Sequence, residues 1–402
     1  MYIKHLIKPE YYQIWDTTRE FVDKEIIPNK QKMQTDRQLV DKTLQKLVDL
    51  GFQRAGYPKE YGGGGLTSFV LMGIIQEELA RGDPGISIQW GLNAGQVLLA
   101  AVLANNKSVM EKFIPIYTGD KLKYACLAMT DAEGGCDTEN PLFKGNRIHT
   151  TVRYEGDEIV INGSKNWPTN AGFSEVYLVY AREDPPKGPE GVAMVYVPAG
   201  TPGLSFGKPE RKCAFKSSVN ASVFFDDVRV PKEYQLVGRG KDYDWYYGVT
   251  AGITWAYAAI QIGIARRALE LILDYTGTRM GGGKPIRQHS IVAGVIADMS
   301  IGIKMMQAST YNMAYMLEHP EEYGPPWSKE MLANGAATKI FAGDTSVDVV
   351  VKGMELMAAN GISEAYEYEQ LYRDVITSKL TIAGHQVGRY RLIEPLYELQ
   401  PD

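Results

Sequence analysis

Residues 148–172, IHTTVRYEGDEIVINGSKNWPTNAG, decide how the chain is divided. Ile148, Thr150 and Val152 alternate with polar neighbours, and YEGDEIVING (154–163) holds a turn between two extended runs. A period of two sends successive side chains to opposite faces, which is the pattern of a half-buried strand. VYLVYA (176–181), GVAMVYVPA (191–199) and ASVFFDD (221–227) follow at short intervals, with Gly and Pro clustered between them in DPPKGPEG (184–191) and AGTPG (199–203). The middle of the chain is therefore expected to be a small β domain ending near VRVP (228–231).

Both flanks turn helical. Residues 9–50 spread Ile14, Trp15, Phe21, Val22, Ile26, Leu44, Leu47, Val48 and Leu50 at three- and four-residue steps, interrupted by Pro28. YPKEYGGGGLTS (57–68) is punctuated as a loop, and residues 69–104 return to long apolar runs. Past residue 240, Ile253, Ala256, Tyr257, Ile260, Ile264 and Ala268 share one helix face. Met299, Ile303, Met306, Met313 and Leu317 share another, the methionines being core filler rather than ligands. Two more helices are expected at about 328–358 and 363–392, separated by AANGIS (358–363). The reading is α+β in three parts: an N-terminal α-helical domain (1–120), a middle β domain (121–235) and a C-terminal four-helix bundle (236–402).

Composition narrows the function. The 402 residues exceed what one hydrophobic core organises. At 45% hydrophobic and 23% charged residues the chain sits at the globular average, which excludes a disordered chain. A net charge of −5 without a dense Lys/Arg run argues against nucleic acid and anionic membrane as partners and for a small-molecule ligand. Cys126, Cys136 and Cys213 show no CxxC spacing, which speaks for a reducing compartment. The start MYIKHLIKPEYYQIW lacks an apolar segment of the signal-peptide kind and carries Glu10 and Asp16, and no uninterrupted apolar stretch reaches the ~20 residues of a membrane span. A soluble, cytoplasmic protein is expected.

Two segments can carry chemistry. In LAMTDAEGGCD (127–137), Thr130 brings a hydroxyl, Gly134 and Gly135 let backbone N–H groups approach a ligand, and Cys136 is small. A solvated β-turn would look the same. In NGSKNWPTNAG (162–172), Trp167 and Thr169 are two apart, so on an extended chain an indole and a hydroxyl face one side and can cover an aromatic ring and bond its edge. A lone Trp in a β domain is more often core. Neither a P-loop nor GxGxxG occurs, and the five histidines are scattered, so no metal site is expected.

Taken in order, YPKEYGGGGL (57–66), LAMTDAEGGCD, INGSKNWPTNAG (161–172), FFDDVRVP (224–231), RMGGGKPI (279–286) and YRDV (372–375) resemble the acyl-CoA dehydrogenase superfamily over nearly the whole chain. The resemblance implies a β-barrel-like middle domain and FAD laid between it and the bundle. Leu127, Met129, Thr130, Gly135 and Cys136 would line the flavin, Trp167 would flank the isoalloxazine, and Thr169 would bond near its N5. Arg279 matches an arginine that reaches the FAD of a neighbouring subunit, where its forked donors suit a pyrophosphate. Glu355 to Gly361 match a segment on the adenosine side. A homotetramer, an acyl-CoA substrate and an electron-transfer flavoprotein or similar acceptor follow from the same resemblance.

The departures concern the base. The family usually places a Glu, in a Glu-Gly-Thr triplet, nine residues after the arginine of an Arg-Asp pair; here Arg373-Asp374 is followed by Ile382, Ala383 and Gly384. A second placement, on the first bundle helix, falls at Ile253 beside Thr254. A third source, the helix above the flavin in relatives that act on alicyclic thioesters, is empty of acids from Pro84 to Met110. Gly282, Ser290, Glu355, Ala358 and Ala359 also replace residues usual in the family. A positioned base supplies roughly 10² to 10⁴-fold, so its replacement matters. His385, three residues past the expected base, and Tyr257, one helical turn beyond Ile253, are the candidate substitutes. Asp83 in RGDPG (81–85) reads as a helix N-cap.

The expected activity is FAD-dependent α,β-dehydrogenation of an acyl-CoA thioester, or its reverse, with a non-standard base and an alicyclic or carboxylated acyl group. A base-free decarboxylating or eliminating enzyme, a half-competent subunit of a hetero-oligomer and a flavin oxygenase on the same fold are the alternatives.

Overall fold

The helices of the first third are set by their caps. Asp36, Ser68, Asp83 and Asn106 accept the backbone N–H groups of Leu39, Leu71, Ile86 and Val109, opening the helices Arg37–Asp49, Phe69–Gly82, Pro84–Gly91 and Lys107–Tyr117. Asp83 is thus the cap its context indicates. The computed structural model describes residues 3–382 and 384–399, and up to Lys123 it holds helices and loops. The first helix, Tyr11–Phe21, widens into a π turn at Val22–Ile26 and ends in the 3₁₀ turn Ile27–Asn29 that contains Pro28.

The middle of the chain forms one sheet of seven strands among the described residues. Thr151–Glu155 and Glu158–Lys165 make an antiparallel hairpin whose two-residue turn has Gly156 at φ +56°. Glu158–Lys165 pairs antiparallel with Val223–Pro231, which in turn holds Leu204–Phe206. Ser174–Glu183 takes Val192–Pro198 along one edge and, along the other, Tyr124–Ala128 and then the start of Thr151–Glu155, both parallel. The sheet branches at this strand, in keeping with the barrel-like middle domain that the resemblance implies; among the described residues no pairing joins Leu204–Phe206 to Val192–Pro198.

The C-terminal region packs the helices Tyr243–Thr278, Ser290–Glu318 and Lys329–Met357 side by side. Met299, Ile303, Met306 and Met313 are buried core, as their spacing indicates. The single helix expected over 363–392 is instead broken into Tyr368–Val375, a 3₁₀ turn Ile376–Lys379, and Gly384–Ile393. The break has a physical cause: Lys339 Nζ donates to the carbonyls of Thr381 and of Ile382 (3.1 Å), and Ile382 sits at φ +52°, where a β-branched residue cannot continue a helix. Ala383, named above with the base triplet, lies outside the described residues.

Pro84–Leu103, Tyr243–Thr278 and Ser290–Glu318 are long and apolar enough to cross a membrane, because scattered polar residues that interrupt a run do not lower a windowed average much. The apolar windows of the first two are 72% and 78% buried within the chain, whereas that of Ser290–Glu318 is 22% buried.

A buried ionic cluster fastens the N-terminal domain to the bundle. Glu77 accepts from Arg266 (2.8 Å), Gln307 (2.8 Å) and Tyr311 (2.7 Å), while Glu78 accepts from Arg266 (2.6 Å), Arg81 (2.9 Å) and Trp15 (2.8 Å). Burial pushes the Glu77 carboxyl up from its usual value, against the pull of the Arg266 charge. Arg266→Met should therefore leave two carboxylates buried with half their counter-charge gone and cost about 3–5 kcal/mol of unfolding free energy. Denaturant unfolding checks this; a loss below ~1 kcal/mol would show that the cluster does not hold the domains together.

Candidate functional site

The two sequence segments singled out above are locked to each other by a fully buried ion pair. Asp131 accepts from Lys165 Nζ (2.7 Å), Thr150 Oγ1 (2.7 Å) and the N–H groups of His149 (2.8 Å) and Thr150 (3.2 Å). Lys165 Nζ also donates to the Met129 carbonyl (2.8 Å), and the Asn166 N–H to that of Thr130 (2.9 Å). With the backbones fastened, Leu127, Met129 and Thr130 from one segment and Trp167, Pro168 and Thr169 from the other line one cavity of about 140 Å³.

Trp167 and Thr169 reach that cavity by a route other than the extended one. The strand stops at Lys165, and Trp167 and Asn170 both lie at φ +66°. Asn220 Nδ2 holds the bend by donating to the Trp167 carbonyl (2.6 Å) and to Thr169 Oγ1 (3.2 Å). The indole is not core but 54% exposed. Such an exposed ring on a rigid turn, opposite a hydroxyl and a run of small residues, is what a planar aromatic cofactor needs. Gly134 and Gly135 lie at φ +83° and +51°, with nothing within 4 Å of where a Gly135 side chain would start. The backbone here can lie directly against a ligand. These residues fit a flavin.

The opposite wall comes from helices. Tyr243–Thr278 contributes Ile253, Ala256, Tyr257 and Ile260, and the broken C-terminal segment contributes Thr381 and Ile382. Leu92 and Gln96 arrive from a π turn, Leu92–Gln96, in which Gly95 has φ +154°. Ile253 and Ile382, the two positions at which the resemblance would place a carboxylate, are thus brought into the cavity as aliphatic side chains. Tyr257 is there too, but its hydroxyl pairs with Thr377 Oγ1 (2.8 Å) and accepts from Thr381 Oγ1 (2.8 Å), and burial pushes it up to about 12. It keeps its proton at neutral pH and braces the 377–381 turn.

His385 is not brought to the cavity. It lies buried against Gly343 with Nδ1 3.3 Å from Asp344 Oδ1, and burial, helped by the Lys339 charge, pushes it down to about 4. Arg279, Ser290, Glu355, Ala358 and Ala359 are all exposed and line no part of the cavity. They gather at one end of the bundle, where Asn360 Nδ2 donates to Tyr275 Oη (3.0 Å) near the end of the first bundle helix. Cys136 begins the 3₁₀ turn Cys136–Glu139.

That turn supplies a residue the sequence reading missed. Glu139 lines the cavity, is 3% exposed, and is the one carboxylate among the described residues lining it. Its signal in the sequence is slight, an acid just beyond a Gly-Gly turn. Gln76, Gln96 and Thr381 were missed as well. A second cavity of about 320 Å³ shares Gln96 and Ile253 with the first and is walled by Phe69, Trp245, Trp255, Trp327, Pro325 and Pro326.

Comparison with known proteins agrees with this arrangement. Profiles described as acyl-CoA dehydrogenase N-terminal, middle and C-terminal domains match residues 8–118, 126–228 and 254–383. Human mitochondrial short-chain specific acyl-CoA dehydrogenase is 27% identical over 95% of this chain and 92% of its own length. Cyclohex-1-ene-1-carbonyl-CoA dehydrogenase of Syntrophus aciditrophicus is 28% identical over 85% of this chain and 79% of its own. The structure of butyryl-CoA dehydrogenase from Megasphaera elsdenii superposes with a TM-score of 0.83 at 25% identity, covering 97% of this chain and 98% of that one.

Trp167→Ala should loosen the flavin and alter its absorbance, since it removes the exposed face of the cavity without touching the Asp131–Lys165 lock. Flavin content after gel filtration and the visible spectrum are the measurements; an unchanged content and spectrum would remove Trp167 from the cofactor site.

Proposed function

The chain belongs to the acyl-CoA dehydrogenase family, whose members depend on FAD, and from that premise we propose that it oxidises, or in reverse reduces, the α,β CH–CH bond of a bulky alicyclic or carboxylated acyl-CoA. The observation that carries the proposal is the pair of neighbouring cavities that share Gln96 and Ile253: one presents flavin-type residues with Ile253 and Ile382 in place of acids, and the other is an apolar chamber with aromatic and proline walls. Flat walls of this kind suit a ring better than a flexible chain, whose rotors must all be frozen on binding. Leu127, Met129, Thr130, Trp167 and Thr169 would hold the flavin; when bound, FAD supplies the two-electron acceptor.

A base-free, decarboxylating variant shares the same support, because a leaving carboxylate would generate the carbanion with no base needed at positions 253 or 382. Proton release into solvent against carbon dioxide release tells the two apart. An electron-transfer flavoprotein or similar acceptor and a cytoplasmic setting complete the proposal. Stopped-flow reduction should be roughly tenfold or more faster with cyclohexanecarbonyl-CoA than with butyryl-CoA. A preference for butyryl-CoA would overturn the acyl-group assignment.

The assembly we infer is a homotetramer. Arg279 and the 355–361 segment lie exposed at one end of the bundle, and the apolar side chains of Met280, Ile291, Ile301 and Ile362 are exposed there and along Ser290–Glu318. Apolar surface in this quantity marks a contact. Arg279→Ala should lose FAD more readily on dilution, and light scattering should give four chains; a flavin-replete monomer is the contrary result.

A further inference from the structure

Resting on the acyl-CoA reading above, we propose that Glu139, on the turn between the first two strands of the sheet, is the base that removes the α-proton. Abstraction from carbon needs an acceptor at the reacting atoms, and the cavity walls offer few. Ile253 and Ile382 are aliphatic, Gln76 and Gln96 do not titrate, Tyr257 is held between two threonine hydroxyls, and His385 lies outside. Glu139 is the carboxylate that remains.

Its presentation is rigid. The Glu139 carbonyl accepts from Arg391 Nη2 (2.9 Å), and the Thr138 carbonyl just before it accepts from the Tyr246 hydroxyl. The turn is thereby clamped from the C-terminal helix and from the first bundle helix at once. Its position is also telling. Lys339, whose ammonium carries the carbonyls of Thr381 and Ile382, is buried and drawn down to about 8 by that burial, with the charge of Glu139 acting in the opposite sense. The Glu139 carboxylate therefore shares its surroundings with the 381–382 turn, although it arrives from a different domain. Burying a carboxylate at a cavity wall is costly, and a nearby buried ammonium offsets part of that cost by favouring the ionised form that a base must be in to accept a proton.

The Cα–H bond breaks and its proton goes to a Glu139 oxygen. The electron pair left at Cα becomes the Cα=Cβ bond as a hydride departs from Cβ to the acceptor.

Glu139→Gln tests the assignment with two readouts: deuterium incorporation at Cα of cyclohexanecarbonyl-CoA in D₂O, and the enolate absorbance of bound acetoacetyl-CoA, which reports ionisation without turnover. The expected result is a loss of roughly 10²-fold or more in exchange and of the enolate band, with flavin content and melting temperature unchanged. Ile382→Glu added to Glu139→Gln should restore a substantial part of the exchange, which repair of a merely structural defect would not do. Should the Gln variant shed its flavin, Glu139→Asp keeps the charge beside Lys339 and retracts it by one methylene, and a large loss in that folded variant supports the role. Wild-type exchange in either variant overturns it, as does a wild type that reduces its flavin with no α-proton exchange. No flavin reduction by any acyl-CoA ends the broader acyl-CoA reading instead.

Discussion

The pairing of Asp131 with Lys165, both wholly buried, is the constraint on which the site depends. It draws three stretches of chain to one point: the loop after the first strand, the start of the hairpin at His149 and Thr150, and the end of the hairpin's second strand. Breaking one partner of such a pair leaves an uncompensated charge in the interior, so the geometry is effectively all or nothing. Thr130 and Trp167 therefore keep their relation to each other across the cavity they both line.

Around that point the three regions of the chain converge. The sheet supplies the turn with the exposed indole, the N-terminal domain supplies a π turn, and the bundle supplies the aliphatic wall. The Glu77/Glu78–Arg266 cluster fixes how the N-terminal domain meets the bundle, so the width of the aromatic chamber is set far from its own walls. This arrangement suits a reaction in which one ligand is fixed on the sheet side and the other slides in between helices.

Much of the fold was legible. Alternation in the middle and helical periodicity on both flanks are direct records of burial, and Asp83 could be read as a cap from four neighbours. The site was legible less evenly. Thr130, Trp167 and Thr169, singled out by two local motifs, and Leu127 and Met129, added by the resemblance, all line the cavity, yet the reason Trp167 faces it is a left-handed residue and an Asn220 contact 53 positions away. The broken last helix was missed because Lys339, which takes the 381–382 carbonyls, belongs to another helix. Glu139 was missed because an acid after a glycine turn looks like any solvated surface residue; only the fold shows that it points inward. His385 was singled out by counting along the chain, and three-dimensional packing turned it away.

The turn at 381–382 is held by its main chain. Lys339 grips peptide oxygens, which every amino acid has, so its hold on the loop does not depend on the side chain at 382. Residue 382 is accordingly a socket: its backbone stays in place, at a strained φ, while its side chain can be exchanged. The chemical character of the cavity wall at this point can thus be altered by one side chain while the contacts of Lys339 with the main chain are kept.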